Sequence, residues 1–312
     1  MNKEQIQKIQ DAVIDMMNKV KFIDEKNQHR YETLDGVWLQ GVSEVSSIIP
    51  KDWLSAWGAK EAVKFLGYSD YKEDTERAEE MLATIQCLRT DEESGVVEKY
   101  LAILKEAKGA SFRKSKEALV DGTAGHLWLS QFVLAEIRRS RLDIKSYKEL
   151  TKEERVKYNY PELLEGALKR PIQQFLKWTE ANISYWILSE ARVAYPEKGY
   201  AGTMDAMAIT KNDKLAVVDF KFASHISEDY RLQCSGYQAT FEPYNIKIDQ
   251  RIIIRLPKTL NKDEWNKKEH RYEKVANNIE VQVLEDKYEI DRDTFFHCLP
   301  VKKWINSITK NA

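Results

Sequence analysis

SYWILSEARVAYPEKGYAGTMDAMAITKNDKLAVVDFKFA, residues 184–223, decides the fold of this chain. Its three apolar runs, SYWILSEARVAY, AGTMDAMAIT and KLAVVDFKFA, have strand-like composition. They are separated by Pro196-Glu197-Lys198-Gly199 and by Lys211-Asn212-Asp213, both hairpin-type connections. The stretch therefore predicts three consecutive antiparallel strands. Upstream, Pro161 to Ala181 predicts a long helix, with Leu163, Leu164, Leu168, Ile172, Phe175 and Leu176 at helical spacing. Before it, SFRKSKEALVDGTAGHLWLSQFVLAEIRRS reads as a basic approach, a glycine turn and a helix. Downstream, Glu228 to Phe241 predicts a helix, Arg251 to Leu256 a buried strand, Ile279 to Leu284 another strand, and Asp291 to Ile305 a closing helix. The helix between the third strand and Arg251 permits a parallel partner, so the expected fold is α/β with a mixed central β-sheet flanked by helices.

The amino-terminal part has a different character. Ile6, Ile9, Ala12, Val13 and Met16 predict an amphipathic helix. HRYETLDGVWLQGVSEVSSIIP follows, and its Asp35-Gly36 pair predicts a short hairpin ending at Pro50. Asp52 is placed to cap a helix that carries Trp53, Leu54, Trp57 and Phe65. Residues 69–98 are dense in Asp and Glu, which fits a solvated helical face. These features divide the chain into a mainly helical arm over 1–108 and a core over 109–312.

Composition narrows the classes. The 312 residues are 43% hydrophobic and 32% charged, as in an ordinary globular protein. A net charge of −1 leaves nucleic-acid binding open, since basic residues can gather on one face and acids in a metal site. Cys87, Cys234 and Cys298 lack any CxxC spacing, which argues against a disulfide framework, a zinc knuckle and a four-cysteine iron–sulfur cluster. No window approaches ~18 consecutive apolar residues. The first residues, with Glu4, Asp11 and Asp15, resemble no leader, so a cytoplasmic protein with no membrane partner is expected.

The chemistry gathers in the strand region. Asp205 and Asp219 lie within consecutive strand-like runs, and an ionised carboxylate inside a sheet is costly unless something offsets it. A bound cation does so, and oxygen ligands suit Mg²⁺. Lys221 stands two residues after Asp219 and so shares its strand face, where an ammonium could orient water and stabilise charge on a phosphate. Taken alone, Asp-x-Lys also occurs as a surface ion pair. His126, after Gly122 and Gly125, is either a structural helix residue or a metal ligand. Gln233 and Tyr237 share a helix face, either as a neutral polar edge or as a pair hydrogen-bonding phosphate or metal-bound waters.

Taken together and in this order, GTAGH, GTMD, VVDFK and QCSGY resemble the RecB-type branch of the PD-(D/E)XK nucleases. The likeness covers roughly residues 29–66 and 109–245. HRYETLDGVWLQGVSEVSSIIPKDWLSAW is similar to the arm of phage-type exonucleases of this branch, including relatives of the mitochondrial genome-maintenance exonuclease. The resemblance implies a restriction-endonuclease-like core and metal ligation by His126, Asp205, Asp219 and the Phe220 backbone carbonyl, with Lys221 as the catalytic lysine. Glu190 in ILSEARVAY resembles a recurrent acidic residue of the branch and is a further candidate ligand. The implied activity is Mg²⁺- or Mn²⁺-dependent hydrolysis of DNA, by an exonuclease of phage or host recombination, repair or replication, in a bacterial or phage-infected cell. A recombination or single-strand-binding protein is a candidate partner. A silent DNA-binding relative and an endonuclease are the alternatives, and the intact Asp205, Asp219 and Lys221 set argues against the first. Arg113, Lys114, Lys116, Arg138 and Arg139 are either a solvated basic face or phosphate contacts, and Trp53, Trp57 and Trp128 are either core or base-stacking residues, core being the commoner role at helical spacing.

Overall fold

The computed structural model describes residues 3–25, 28–51, 53–68, 76–90, 96–266 and 271–309. In chain order the elements are α1 (Lys3–Lys19), β1 (Val20–Glu25), β2 (Gln28–Thr33), β3 (Trp38–Gly41), α2 (Val42–Ser46), α3 (Trp53–Phe65), α4 (Glu76–Thr90), α5 (Val96–Lys108), α6 (Ala110–Arg141), α7 (Lys152–Lys157), α8 (Lys169–Asn182), β4 (Ile183–Tyr195), β5 (Tyr200–Thr210), β6 (Leu215–Lys221), α9 (Glu228–Ala239), β7 (Gln250–Arg255), β8 (Asn261–Asn266), β9 (Arg271–Ala276), β10 (Glu280–Leu284) and α10 (Tyr288–Thr309).

The sheet turns on β5. One edge of it pairs antiparallel with β4 from Ile183↔Thr210 to Tyr195↔Tyr200. The other edge is shared. β3 pairs with it in parallel at Tyr200 and Ala201, and β6 pairs antiparallel at Ala206 to Ile209. β6 continues in parallel with β7, which pairs antiparallel with β10, while β1 and β2 extend the sheet beyond β3. The fold is therefore α/β, with a mixed eight-stranded sheet flanked by helices.

Sequence explains the layering. Leu215 to Phe220 are all buried, the unbroken apolar pattern of a strand covered on both faces. Alternate residues of this strand enter two clusters. Leu215 and Val217 pack in the one that includes Val13, Met16, Leu232, Tyr237 and Phe295. Ala216, Val218 and Phe220 pack in the one that includes Phe132, Ile172, Phe175 and Trp186. The Pro196–Gly199 and Lys211–Asp213 connections form tight turns as expected, with Gly199 at φ +79°. Gly36, at φ +86°, turns the β2–β3 hairpin.

Several expected boundaries differ. The sheet-bearing compact unit gathers residues 1–49, 124–260 and 278–312, so the first 49 residues contribute β1–β3 to the sheet and do not belong with the helices that follow. The second unit comprises 50–123 and 261–277 and holds α3, α4, α5, the start of α6 and the β8–β9 hairpin. The glycine turn expected before His126 is absent, because α6 runs unbroken from Ala110 to Arg141. Gly125 serves close approach instead: a Cβ there would lie 2.1 Å from Cζ of Phe222. The long helix expected from Pro161 starts at Lys169, after a turn in which Gly166 has φ +71°. The expected Asp52 cap lies outside the described residues. Among the described residues, no helix is long and apolar enough to cross a membrane.

Candidate active site

The shared edge of β5 creates a fork. Between Ala201, the last residue paired with β3, and Ala206, the first paired with β6, the edge of β5 has no strand partner among the described residues. β6 meanwhile runs on through Asp219, Phe220 and Lys221, paired there with β7. Asp205 sits in the opening, where its Oδ2 accepts a hydrogen bond from the Phe220 N–H at 2.7 Å. A side-chain carboxylate thus takes the place of the missing backbone partner. The Lys221 carbonyl accepts from Leu256 N–H at 2.8 Å, on the β7 side. Successive strand carbonyls point to opposite edges, so the Phe220 carbonyl faces the fork.

Glu190 lies across β4 from Asp205, because Ser189↔Ala206 and Ala191↔Met204 bracket the two. Its backbone has φ +48°, a left-handed conformation that is strained for glutamate inside a strand and is the kind of outlier found at functional sites. His126 reaches in from α6. One ligand atom from each of His126, Glu190 and Asp205 lies within 4.8 Å of the other two, and His126 Nδ1 is 3.9 Å from Asp205 Oδ2. The Phe222 ring supports the imidazole edge-on, with centroids 5.3 Å apart.

Asp219 and Lys221 stand beside this trio. Lys221 Nζ lies 2.9 Å from both Asp219 oxygens but hydrogen bonds only to Oδ1, leaving Oδ2 buried without a hydrogen-bond partner. The Tyr230 ring lies 4.9 Å from the ammonium. Asp219 falls outside the group formed by His126, Glu190 and Asp205, so the four implied side-chain ligands sit as a trio with one close neighbour.

The electrostatics follow from burial. Burial pushes Glu190 up to about 7, and the Asp205 charge adds to the shift. Burial likewise lifts Asp219 to about 6 despite the pull of Lys221, with Asp205 contributing, and raises Asp205 itself. Burial and the nearby Lys221 charge depress His126 to about 4, which leaves the imidazole neutral at physiological pH. Burial opposes the charge of Lys221, but Asp219 and Asp205 outweigh it and raise its proton affinity. The site therefore holds carboxylates short of positive charge, a neutral imidazole and an orphaned carboxylate oxygen. These are the donors that a hard divalent cation takes, with one borderline nitrogen.

On α9, Gln233 Nε2 donates to the Tyr237 hydroxyl at 3.2 Å, and both residues are buried. The Tyr237 ring lies against β5 where a Cβ on Gly202 would be 2.8 Å from Cε1, which gives the glycine of GTMD its reason. Burial keeps Tyr237 well above its usual range, and the charges of Asp205 and Asp219 add to that.

The expected basic and aromatic contacts divide. Arg113 pairs with Glu106 at 2.8 Å and stacks on Phe65, and Lys114 pairs with the buried Glu61 at 2.5 Å. Arg139 is bound to Glu136 and to the Ile144 carbonyl, so it is a structural clamp. Lys116 and Arg138 are exposed. Trp128 is a core residue, stacked on Phe132 with its indole N–H donating to the Glu162 carbonyl at 2.7 Å, and is not available for base stacking. Trp57 is half-buried, and the Trp53 side chain lies outside the described residues.

Sequence reasoning missed Tyr230, Tyr31, Arg192 and Lys258. Tyr230 faces Lys221, and Lys258 adds to the positive charge felt by His126. A tyrosine one turn before Gln233 and a lysine just after the β7 strand were the available signals. Neither family models nor curated proteins give a match to this chain.

Proposed function

We propose that this chain is a DNA nuclease dependent on Mg²⁺ or Mn²⁺, acting as an exonuclease at DNA ends. The observation that carries the reading is the sheet fork. It brings Glu190, Asp205 and His126 within ligand reach of one another and sets the Lys221–Asp219 pair beside them. The resemblance of GTAGH, GTMD, VVDFK and QCSGY to the RecB-type PD-(D/E)XK branch points the same way. Asp205, Asp219, His126, the Phe220 carbonyl and Glu190 would hold the cation, which supplies Lewis-acid polarisation of a phosphate and activation of water.

The remaining work falls to the chain itself. Lys221 is kept charged by two carboxylates and is fixed at the fork, so it can stabilise negative charge developing on a phosphate without reorganising. Asp205 holds the Phe220 amide and thereby the end of β6 in register with the opening. Gln233 and Tyr237 line the same neighbourhood as neutral hydrogen-bonding groups. Exposed Arg138 and Lys116, which pair with no carboxylate among the described residues, stand ahead of Arg113 and Lys114 as candidates for phosphate contacts, since the latter two are already paired.

A digestion time course on 5′- and 3′-labelled linear, nicked and circular DNA tests the proposal, with Mg²⁺, Mn²⁺ or EDTA. The expected result is stepwise shortening of linear DNA that requires the cation and spares closed circles. Cutting of circles would make the enzyme an endonuclease. No product from folded protein with either metal would sink the enzymatic reading.

A further inference from the structure

Two residues along β4 from Glu190 stands Arg192, and two residues back along β5 from Asp205 stands Thr203; the two are register partners. They form the second rung beyond the acidic one, about 7 Å away at strand rise. Thr203 shares the Asp205 face of β5, and its Oγ1 is hydrogen-bonded to the Tyr31 hydroxyl at 2.9 Å. Tyr31 comes from β2 and can reach Thr203 because the pairing of β3 with β5 stops at Ala201.

Arg192 is held in place without being neutralised. Its guanidinium lies 3.9 Å over the Phe22 ring of β1, so its plane is fixed by stacking. No carboxylate among the described residues pairs with it. Arg192 is therefore not the counterion of the acidic cluster. It is exposed and stacked, its register partner Thr203 carries a hydroxyl bonded to that of Tyr31, and guanidinium plus Thr and Tyr hydroxyls are groups that bind phosphate oxygens.

We propose that Arg192, Thr203 and Tyr31 form a phosphate-binding subsite two rungs from the acidic cluster, taking the backbone phosphate that neighbours the one cleaved. The assignment rests on the nuclease reading for the identity of its ligand. It also gives the amino-terminal strands a role in the site, since Phe22 orients the arginine and Tyr31 belongs to the subsite.

Arg192→Gln is the decisive variant, because a planar amide keeps the stacking on Phe22 and removes the charge. Binding of a fluorescein-labelled 12-nucleotide single strand is measured by anisotropy in Ca²⁺ across a salt series, and cleavage kinetics are measured in Mg²⁺. The expected result is about tenfold weaker binding and a slope of log K against log salt reduced by about one. KM should rise while kcat on saturating DNA stays within about twofold. Thr203→Val should weaken binding with the salt slope unchanged, since it removes a neutral contact. Unchanged affinity and slope in Arg192→Gln, or a fall in kcat at constant KM, would overturn the subsite. If the wild-type protein binds but never cleaves, the nuclease reading fails while the slope still decides the subsite. If the wild-type protein does not bind the strand at all, both fail.

Discussion

Burial and pairing act on Lys221 in opposite directions, and that conflict makes its removal informative. Lys221→Ala should lower the cleavage rate by about 10²- to 10³-fold, the range for losing one donor aimed at developing charge. It should also lower the melting temperature of the metal-free protein at pH 8, because Asp219 and Asp205 lose their cation, and less so at pH 5, where Asp219 takes up a proton. Near-wild-type turnover in Mg²⁺ would remove the lysine from the machinery. Glu190 gives the converse test. Its folded value of about 7 lies above an unfolded value of about 4.3. A raised value contributes stability that is present below the unfolded value and lost as pH rises through the folded one. Metal-free Glu190→Gln should therefore melt above the wild type at pH 8 and level with it at pH 4. His126 runs the other way: its depressed value costs stability as pH falls from about 6.5 toward 4 in both proteins, so it cancels in the comparison. Equal pH profiles for the two proteins would show that Glu190 carries no strain of charge. At this scale the sequence placed Asp205, Asp219, Lys221 and His126, because strand spacing and motif order are local. It could not place Tyr31 or Arg192 beside them, since their meeting depends on where β3 stops pairing.

α6 and β6 show what element-level reading reaches. The apolar run LAVVDF and the turn residues around it specify β6 and its neighbours locally, so the antiparallel trio follows from pattern, while the helical crossover only permitted the parallel pairing that β6 makes with β7. β1, with sequence VKFIDE, carries Lys21, Asp24 and Glu25 among its six residues and escaped notice, as did the charged strands β8 and β9. Gly122 and Gly125 misled in the opposite sense, because a glycine that admits a neighbouring ring looks the same in sequence as one that turns the chain. Gly125→Ala measures the difference. In an exposed helix alanine would gain about 1 kcal/mol over glycine. Here the new methyl meets the Phe222 ring, so a loss of about 1–3 kcal/mol is expected in denaturant unfolding, with His126 displaced and metal affinity reduced. Combining it with Phe222→Leu should recover part of the loss through their shared contact. A stabilised single variant would return Gly125 to the role of a tolerated helix breaker.

At the scale of the whole molecule, the fork is an opening in a sheet whose core closes without it. Both large apolar clusters are complete on either face of β5 and β6, with Val217, Val218 and Phe220 buried among them, so the metal-free protein is expected to be folded. A cation that binds only the folded state raises stability by RT ln(1 + [L]/Kd), about 2.7 kcal/mol at a hundredfold excess over Kd. Mg²⁺ or Mn²⁺ should therefore raise the melting temperature in a saturable way, and Asp205→Asn should abolish the shift. The shift should also shrink as pH falls through the range of about 7 to 6 in which Glu190 and Asp219 take up protons, since protons and cation compete for the same oxygens. His126→Ala should diminish the Mn²⁺ shift more than the Mg²⁺ shift, because the imidazole favours the softer ion. Calorimetric scans of the three proteins at pH 8 and pH 5.5, with and without each metal, separate these outcomes. A melting temperature that ignores both metals in the wild type would mean that the fork balances its charges by protonation alone, and the cation would have to be withdrawn from the site.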